Sequence, residues 1–179
     1  AFDSAIETES KMFVYDTCGG FGDGISVFID DRKLEVEKET KKKLKITIFP
    51  FDAGSGVVNP DKKIPGTKKT WGEQYSNAKA QVHAITAQKL YNTYRFIHLG
   101  ERDIEPSEMW SIDIEDDELF NKVILELSTP LWVKSATNSK KKVEDKKAMF
   151  KRTGLPSPNL ADSLHMLSAP QKKGKRFNG

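Results

Sequence analysis

An α/β fold is predicted by three features of the chain. Short β-prone runs alternate with longer stretches of helical period, the order in which sheet strands and their covering helices are built. The first such run, Met12-Phe13-Val14-Tyr15, ends on Asp16 and a glycine-rich turn reaching Gly24, and strand carboxyl ends are where α/β proteins hold ligands. The stretch from Asn77 to Leu99 carries one apolar stripe with an acceptable cap at its start, the pattern of a main covering helix.

Taken in order, residues 1–10 place Phe2 and Ile6 at helical spacing among acids, and Met12 to Tyr15 is a buried strand ending at Asp16. The glycines from Gly19 to Gly24 allow a tight turn and close backbone approach. Ile25-Ser26-Val27-Phe28-Ile29 has a strand's composition. Glu35, Glu37 and Glu39 ahead of Lys41-Lys42-Lys43, however, suit an exposed helix whose charges follow its dipole, so residues 25–44 are assigned mostly to helix. Lys45 to Phe51 alternates and is β-branched, a second strand. Residues 52–74 form a loop rich in Gly, Pro, Asn and Lys, and a loop of that length is functional or mobile. The helix from Asn77 turns Ala80, Val82, His83, Ile85, Ala87, Leu90, Tyr94 and Phe96 to one side.

After an acidic linker, residues 101–105, an amphipathic helix runs from Asp116 to Leu127 and stops at Thr129-Pro130. Leu131 to Lys134 reads as a strand, Lys140 to Lys142 as a basic turn, and Glu144 to Arg152 as a helix ended by Gly154 and Pro156. The last helix starts at Asn159, with Leu160, Leu164 and Leu167 toward the core. Three strands are few for an α/β sheet, so either further strands escape notice or the opening ones precede Ala1.

At 179 residues, 37% of them hydrophobic, the chain suits one folded domain, residues 1–170, with a basic tail over residues 171–179. The balance of 29 basic against 26 acidic residues is too even to announce a polyanion partner, but the lysines are clustered. The single cysteine, Cys18, excludes an internal disulfide and fits a reducing compartment. No apolar run approaches the ~20 residues of a membrane span, and no P-loop signature occurs. His83, His98 and His165 lack metal-ligand spacing, so His83 and His165 read as structural. Cys18, without an activating partner, reads as a packed thiol.

Two acids remain. Asp16 ends a buried strand and Asp162 lies one turn into an apolar helix, where a carboxylate is costly unless a cation compensates it. Converging carboxylates bind Mg²⁺ or Mn²⁺, and a two-metal site of that kind activates water against a phosphodiester. Spacing alone favours a plainer reading, in which Asp16 caps a turn and Asp162 decorates a helix end.

At these residues the chain resembles the nuclease domain of the large terminase subunit of tailed double-stranded DNA bacteriophages. Met12 to Gly24 is similar to that family's strand, acid and G-x-G segment, and Asn77-Ala78-Lys79-Ala80 to its N-x-(K/R)-A helix start. Ser139 to Ser163 is similar to its closing stretch, with Ser157-Pro158-Asn159-Leu160-Ala161-Asp162-Ser163 matching residue for residue. The resemblance implies a ribonuclease H-like mixed sheet flanked by helices. It also implies a two-metal endonuclease that cuts concatemeric viral DNA during packaging, with two Mg²⁺ or Mn²⁺ ions.

Of the family's three acids, Asp162 takes the third place. Asp16 is placed second, which puts the strand of the first acid ahead of Ala1. In the competing register Asp16 is first, residues 25–29 form a hairpin strand, and Asp52 is second. Lys140, Lys141, Lys142 and Arg152 are the expected phosphate contacts, without sequence preference. The implied partners are double-stranded DNA, the terminase motor domain, the portal and the small terminase subunit, in the cytoplasm of the infected host. A catalytically incomplete module of the same fold, binding DNA or packaging proteins, is the alternative.

Overall fold

Two parallel strands, β1 (Met12–Asp16) and β2 (Thr47–Phe51), organise the first part of the chain, running in register from Met12 opposite Thr47 to Asp16 opposite Phe51. The structure is a computed structural model. It describes residues 1–17 and 22–170 and separates into two units, Ala1–Gly54 and Ser55–Gly179. Cys18 to Phe21, and with them most of the glycine turn, lie outside the described residues, as does the basic tail.

Parallel neighbours need a crossover, and α2 (Gly22–Thr40) supplies it. Residues 25–29 are therefore helical, and the hairpin required by the competing register does not form. The reason lies in packing: Ile29, only 2% exposed, joins Phe2, Tyr15 and Ile46 in the core of this unit, while Val27 and Phe28 point outward. The short helix α1 (Phe2–Glu7) sets the Phe2 ring edge-on to Phe13, with centroids 5.1 Å apart. Asp52 Oδ1 accepts the Gly54 amide at 2.8 Å, closing a turn just after β2.

In the second unit the predicted main helix is α4 (Ala78–His98), and the Asn77 side chain accepts the Ala80 amide at 3.0 Å as its cap. Its buried face is more polar than the apolar stripe suggests. Gln81, His83, Thr86 and Asn92 are inside, whereas Ala87 and Tyr94 are exposed. Around it lie α3 (Trp71–Gln74), α5 (Asp117–Ser128), α6 (Lys146–Thr153) and α7 (Asn159–Leu167). Asp116 and Asp145 cap α5 and α6 through the Leu119 and Ala148 amides. Gly154 ends α6 at φ 71°, a left-handed conformation that a side chain would strain.

The basic stretch Lys140 to Lys142 is not a turn. Residues 141–143 form strand β4 (Lys141–Val143), antiparallel to β3 (Trp132–Lys134), with Val143 opposite Trp132. Val143 packs with Trp71, Tyr75 and Ala80, and burying that one side chain draws the preceding lysines into extended backbone. The last helix also differs from expectation. Ala161 and His165 are its buried residues, while Leu167 is half exposed, because the inward stripe is 161, 165 and 168 rather than the leucines.

The long loop after β2 is stitched in place. Gln81 clasps Val58 at both ends of its amide, accepting the Val58 N–H at 2.8 Å and donating to its carbonyl at 2.9 Å. Ser55 accepts the Ala78 amide at 2.8 Å, and Pro60 accepts the Gly72 amide at 2.7 Å. A Cβ on Gly72 would lie 2.8 Å from the Pro60 side chain and 3.0 Å from its carbonyl oxygen. Gly72→Ala should therefore destabilise the chain by about 1–3 kcal/mol through overpacking; urea unfolding that matches wild type would show that the loop yields.

Candidate metal centre around Asp162

Helices α4 and α7 face one another through three polar pairs. Lys79, His83 and Thr86 fall on one face of α4, and Asp162, His165 and Ser168 on one face of α7, since positions three and four apart share a helix face. Lys79 Nζ lies 3.3 Å from Asp162 Oδ1. The His83 and His165 rings stack with centroids 3.6 Å apart at an interplanar angle of 26°. Thr86 Oγ1 donates to Ser168 Oγ at 2.9 Å.

A third helix completes the first pair. Lys146, in the first turn of α6, places its Nζ 2.9 Å from Asp162 Oδ2, so each carboxylate oxygen has its own ammonium partner. The Asp162 side chain is only 25% exposed. Burial pushes its carboxyl up, but Lys79 and Lys146 more than offset this and hold it below the ordinary aspartate value. The carboxylate is therefore ionised, a hard oxygen donor already in cationic surroundings. Beside it a cavity of about 220 Å³ is lined by Asn77, Lys79, Lys142, Glu144, Asp145 and Lys146. Three of those side chains are lysines that can neutralise phosphate.

Neither Lys79 nor Lys146 was singled out as a site residue from the sequence. Lys79 does sit in the Asn77-Ala78-Lys79-Ala80 stretch, and Asn77, by fixing where α4 begins, fixes which face Lys79 occupies. Asp16 ends β1 in the first unit and is exposed. Lys140 to Lys142 run along β4, with Lys141 Nζ 5.9 Å from the centre of the Trp132 ring. The Arg152 guanidinium is paired with Glu144 and donates to the Thr129 carbonyl at 2.8 Å. Among the described residues, no three or more His, Cys, Asp or Glu side chains converge as a metal cluster. Asp162 fits a hard divalent ion by its oxygen donors, and a metal there would displace at least one of the two ammonium groups that now compensate its charge.

The arrangement of helices and strands belongs to a known class, a ribonuclease H-like α/β nuclease fold. Within that class, the chain has the fold of the nuclease domain of a phage large terminase subunit. The mutant nuclease domain of the large terminase subunit of bacterial virus Sf6, with manganese and beta-thujaplicinol, superposes with a TM-score of 0.81 at 28% identity, over 96% of this chain and 70% of that one. A mutant of the same subunit with calcium gives 0.78 at 28%, with the same coverage. The nuclease domain described without a mutation gives 0.74 at 26%, again over 96% and 70%. No family model matches the sequence, and no curated protein does.

The stacked histidines make stability depend on pH. Burial lowers the His83 pKa to about 3, aided by His165 and Lys79 and opposed by Asp162. Burial likewise lowers His165 to about 4, with Asp162 opposing and Lys79 assisting. Three of their four nitrogens, His83 Nε2 and both of His165, have no hydrogen-bond partner, an arrangement costlier still for a charged ring, which carries two N–H donors. Protons bind the unfolded histidines first, so this stability is fully present above about pH 6.5 and declines as pH falls toward the folded values. The expected loss is about 2 kcal/mol per histidine between about pH 6.5 and pH 5. His165→Phe, which keeps a stacked ring, should remove roughly half of that slope in urea unfolding across pH; an unchanged slope would contradict it. The depressed Asp162 pKa acts in a separate window, below the ordinary aspartate range.

Proposed function

We propose that this chain is a divalent-metal-dependent endonuclease domain that cuts concatemeric double-stranded viral DNA during genome packaging. Asp162 and Asp16 serve as metal-binding carboxylates. The observation that carries the reading is Asp162 itself: a largely buried, ionised carboxylate held between two lysines beside a lysine-lined cleft. The likeness to terminase nuclease structures described with manganese or calcium supports it. So does the parallel β1–α2–β2 unit, which sets Asp16 at the carboxyl end of a strand.

Two Mg²⁺ or Mn²⁺ ions, when bound, would supply an activated water and stabilise the leaving oxygen. The rest is the work of this chain's own residues. Asp162 stays ionised because Lys79 and Lys146 favour its charged form. Lys142 lines the same cleft, and Lys140, Lys141 and Arg152 extend the basic surface. All bind phosphate by charge rather than by base edges, so binding is non-specific and sensitive to salt. The partners are then DNA, the terminase motor, the portal and the small terminase subunit, in the cytoplasm of an infected bacterium.

One observation favours a second reading, a DNA- or protein-binding module with an incomplete acid set: no cluster of three or more ligating side chains appears among the described residues. Plasmid DNA separates the two. The nuclease reading expects nicking and linearisation that need Mn²⁺ or Mg²⁺ and that fall to background in Asp162→Ala and in Asp16→Ala. Cutting that persists in both variants, or wild-type chain that retains DNA but never cuts, would refute it. Each of Lys140, Lys141 and Lys142 that contacts a phosphate should, when changed to alanine, lower the log–log salt slope of DNA binding by about 1; slopes equal to wild type would remove them from the interface.

A further inference from the structure

Glu126 takes no part in the cleft around Asp162, yet its carboxylate closes the start of the helix that carries Asp162. Pro158, at the N-cap of α7, makes no side-chain cap. The Asn159 amide donates to the Ser157 carbonyl at 2.9 Å, and the Asp162 amide opens the helical ladder by donating to the Pro158 carbonyl at 2.8 Å. Between them, the amides of Leu160 and Ala161 would lack acceptors. Both donate to Glu126 Oε2, at 2.8 and 3.1 Å, across from α5. The first turn of α7 is thus capped by a carboxylate 34 and 35 residues earlier in the chain, and that negative charge also suits the positive end of the helix.

We propose that Glu126 is a positioning residue for Asp162, fixing the first turn of α7 so that the carboxylate is presented to the metal. The assignment rests on the nuclease reading above. Three observations carry it. Asp162 follows Ala161 directly, so the turn that Glu126 pins is the one that sets the Asp162 Cα. The ties on the other side of Asp162 are two lysine side chains, long and flexible, which compensate its charge without fixing its direction. And the link joins two packed helices: α5, which carries Glu126, lies directly against α7. The two hydrogen bonds to Glu126 thus tie the helix start to α5, which is itself anchored by Val123 at 2% exposure.

Mn²⁺ binding by the whole 179-residue chain, measured by titration calorimetry beside amide hydrogen exchange, tests the assignment. Glu126→Ala should speed exchange at Leu160 and Ala161 and weaken Mn²⁺ binding roughly 10-fold or more, as loss of a ligand's supporting hydrogen bonds does. Glu126→Gln, whose amide oxygen can still accept both N–H groups, should restore most of the affinity. Should Glu126→Ala fail to fold, Glu126→Asp keeps the charge but falls one methylene short of the helix, and it should weaken Mn²⁺ in the same direction. Alanine or aspartate variants that fold and bind Mn²⁺ as wild type does would overturn the assignment alone. Wild-type chain that takes up no Mn²⁺, or takes it up equally after Asp162→Ala, would overturn the nuclease reading and this assignment with it.

Discussion

The ion triad of Asp162 with Lys79 and Lys146 is the contact on which the second unit turns. A carboxylate three-quarters buried is expensive unless it is compensated, and here the compensation comes from two helices that share no local sequence with α7. Satisfying one charge therefore brings α4, α6 and α7 together at one point. Beneath it the polar seam continues through the stacked histidines to the hydroxyl pair, so α4 and α7 meet through matched polar side chains rather than through leucines. Such a seam specifies register through the ion pair and the hydroxyl pair at its ends, which a slip would break.

The same triad accounts for the chemistry proposed. A carboxylate kept ionised by ammonium groups has the charge a divalent ion needs, and the ion takes it over by displacing a lysine. The lysines also face the adjoining cleft, where phosphate would find positive charge without base-specific contacts. Histidines held neutral one turn below add no competing charge at ordinary pH. The supports, Asn77 at the start of α4, Asp145 at the start of α6 and Glu126 at the start of α7, are all side-chain caps. Each helix that brings a charge to the triad thus has its first turn fixed.

Much of this was legible in the sequence wherever the signal is local. Asn77 announced α4, the β-prone runs announced β1 and β2, and Gly154 and Pro156 marked the end of α6. The match of Ser157 to Ser163 to a terminase stretch singled out Asp162. What stayed hidden is non-local. Lys79 and Lys146 look like any exposed lysine until the helices meet, and Glu126 is an ordinary acid on an amphipathic helix until it is seen beneath α7. The run Lys140 to Lys142 masks a strand, because the one buried side chain that makes it extended, Val143, comes at its end. Leu167 misleads in the opposite way: the apolar residues of α7 suggest a leucine face, but the face that α4 demands is built from Ala161, His165 and Ser168.

The central claim is that Asp162 binds a divalent metal in place of at least one of its two ammonium partners. It is tested most directly by a crystal of the chain soaked in Mn²⁺, with the metal located by anomalous scattering. The account predicts an anomalous peak at the Asp162 carboxylate, with Lys146 or Lys79 no longer paired to it. A map without a peak there, in crystals saturated with Mn²⁺ and with Asp162 still bound to both lysines, would contradict it.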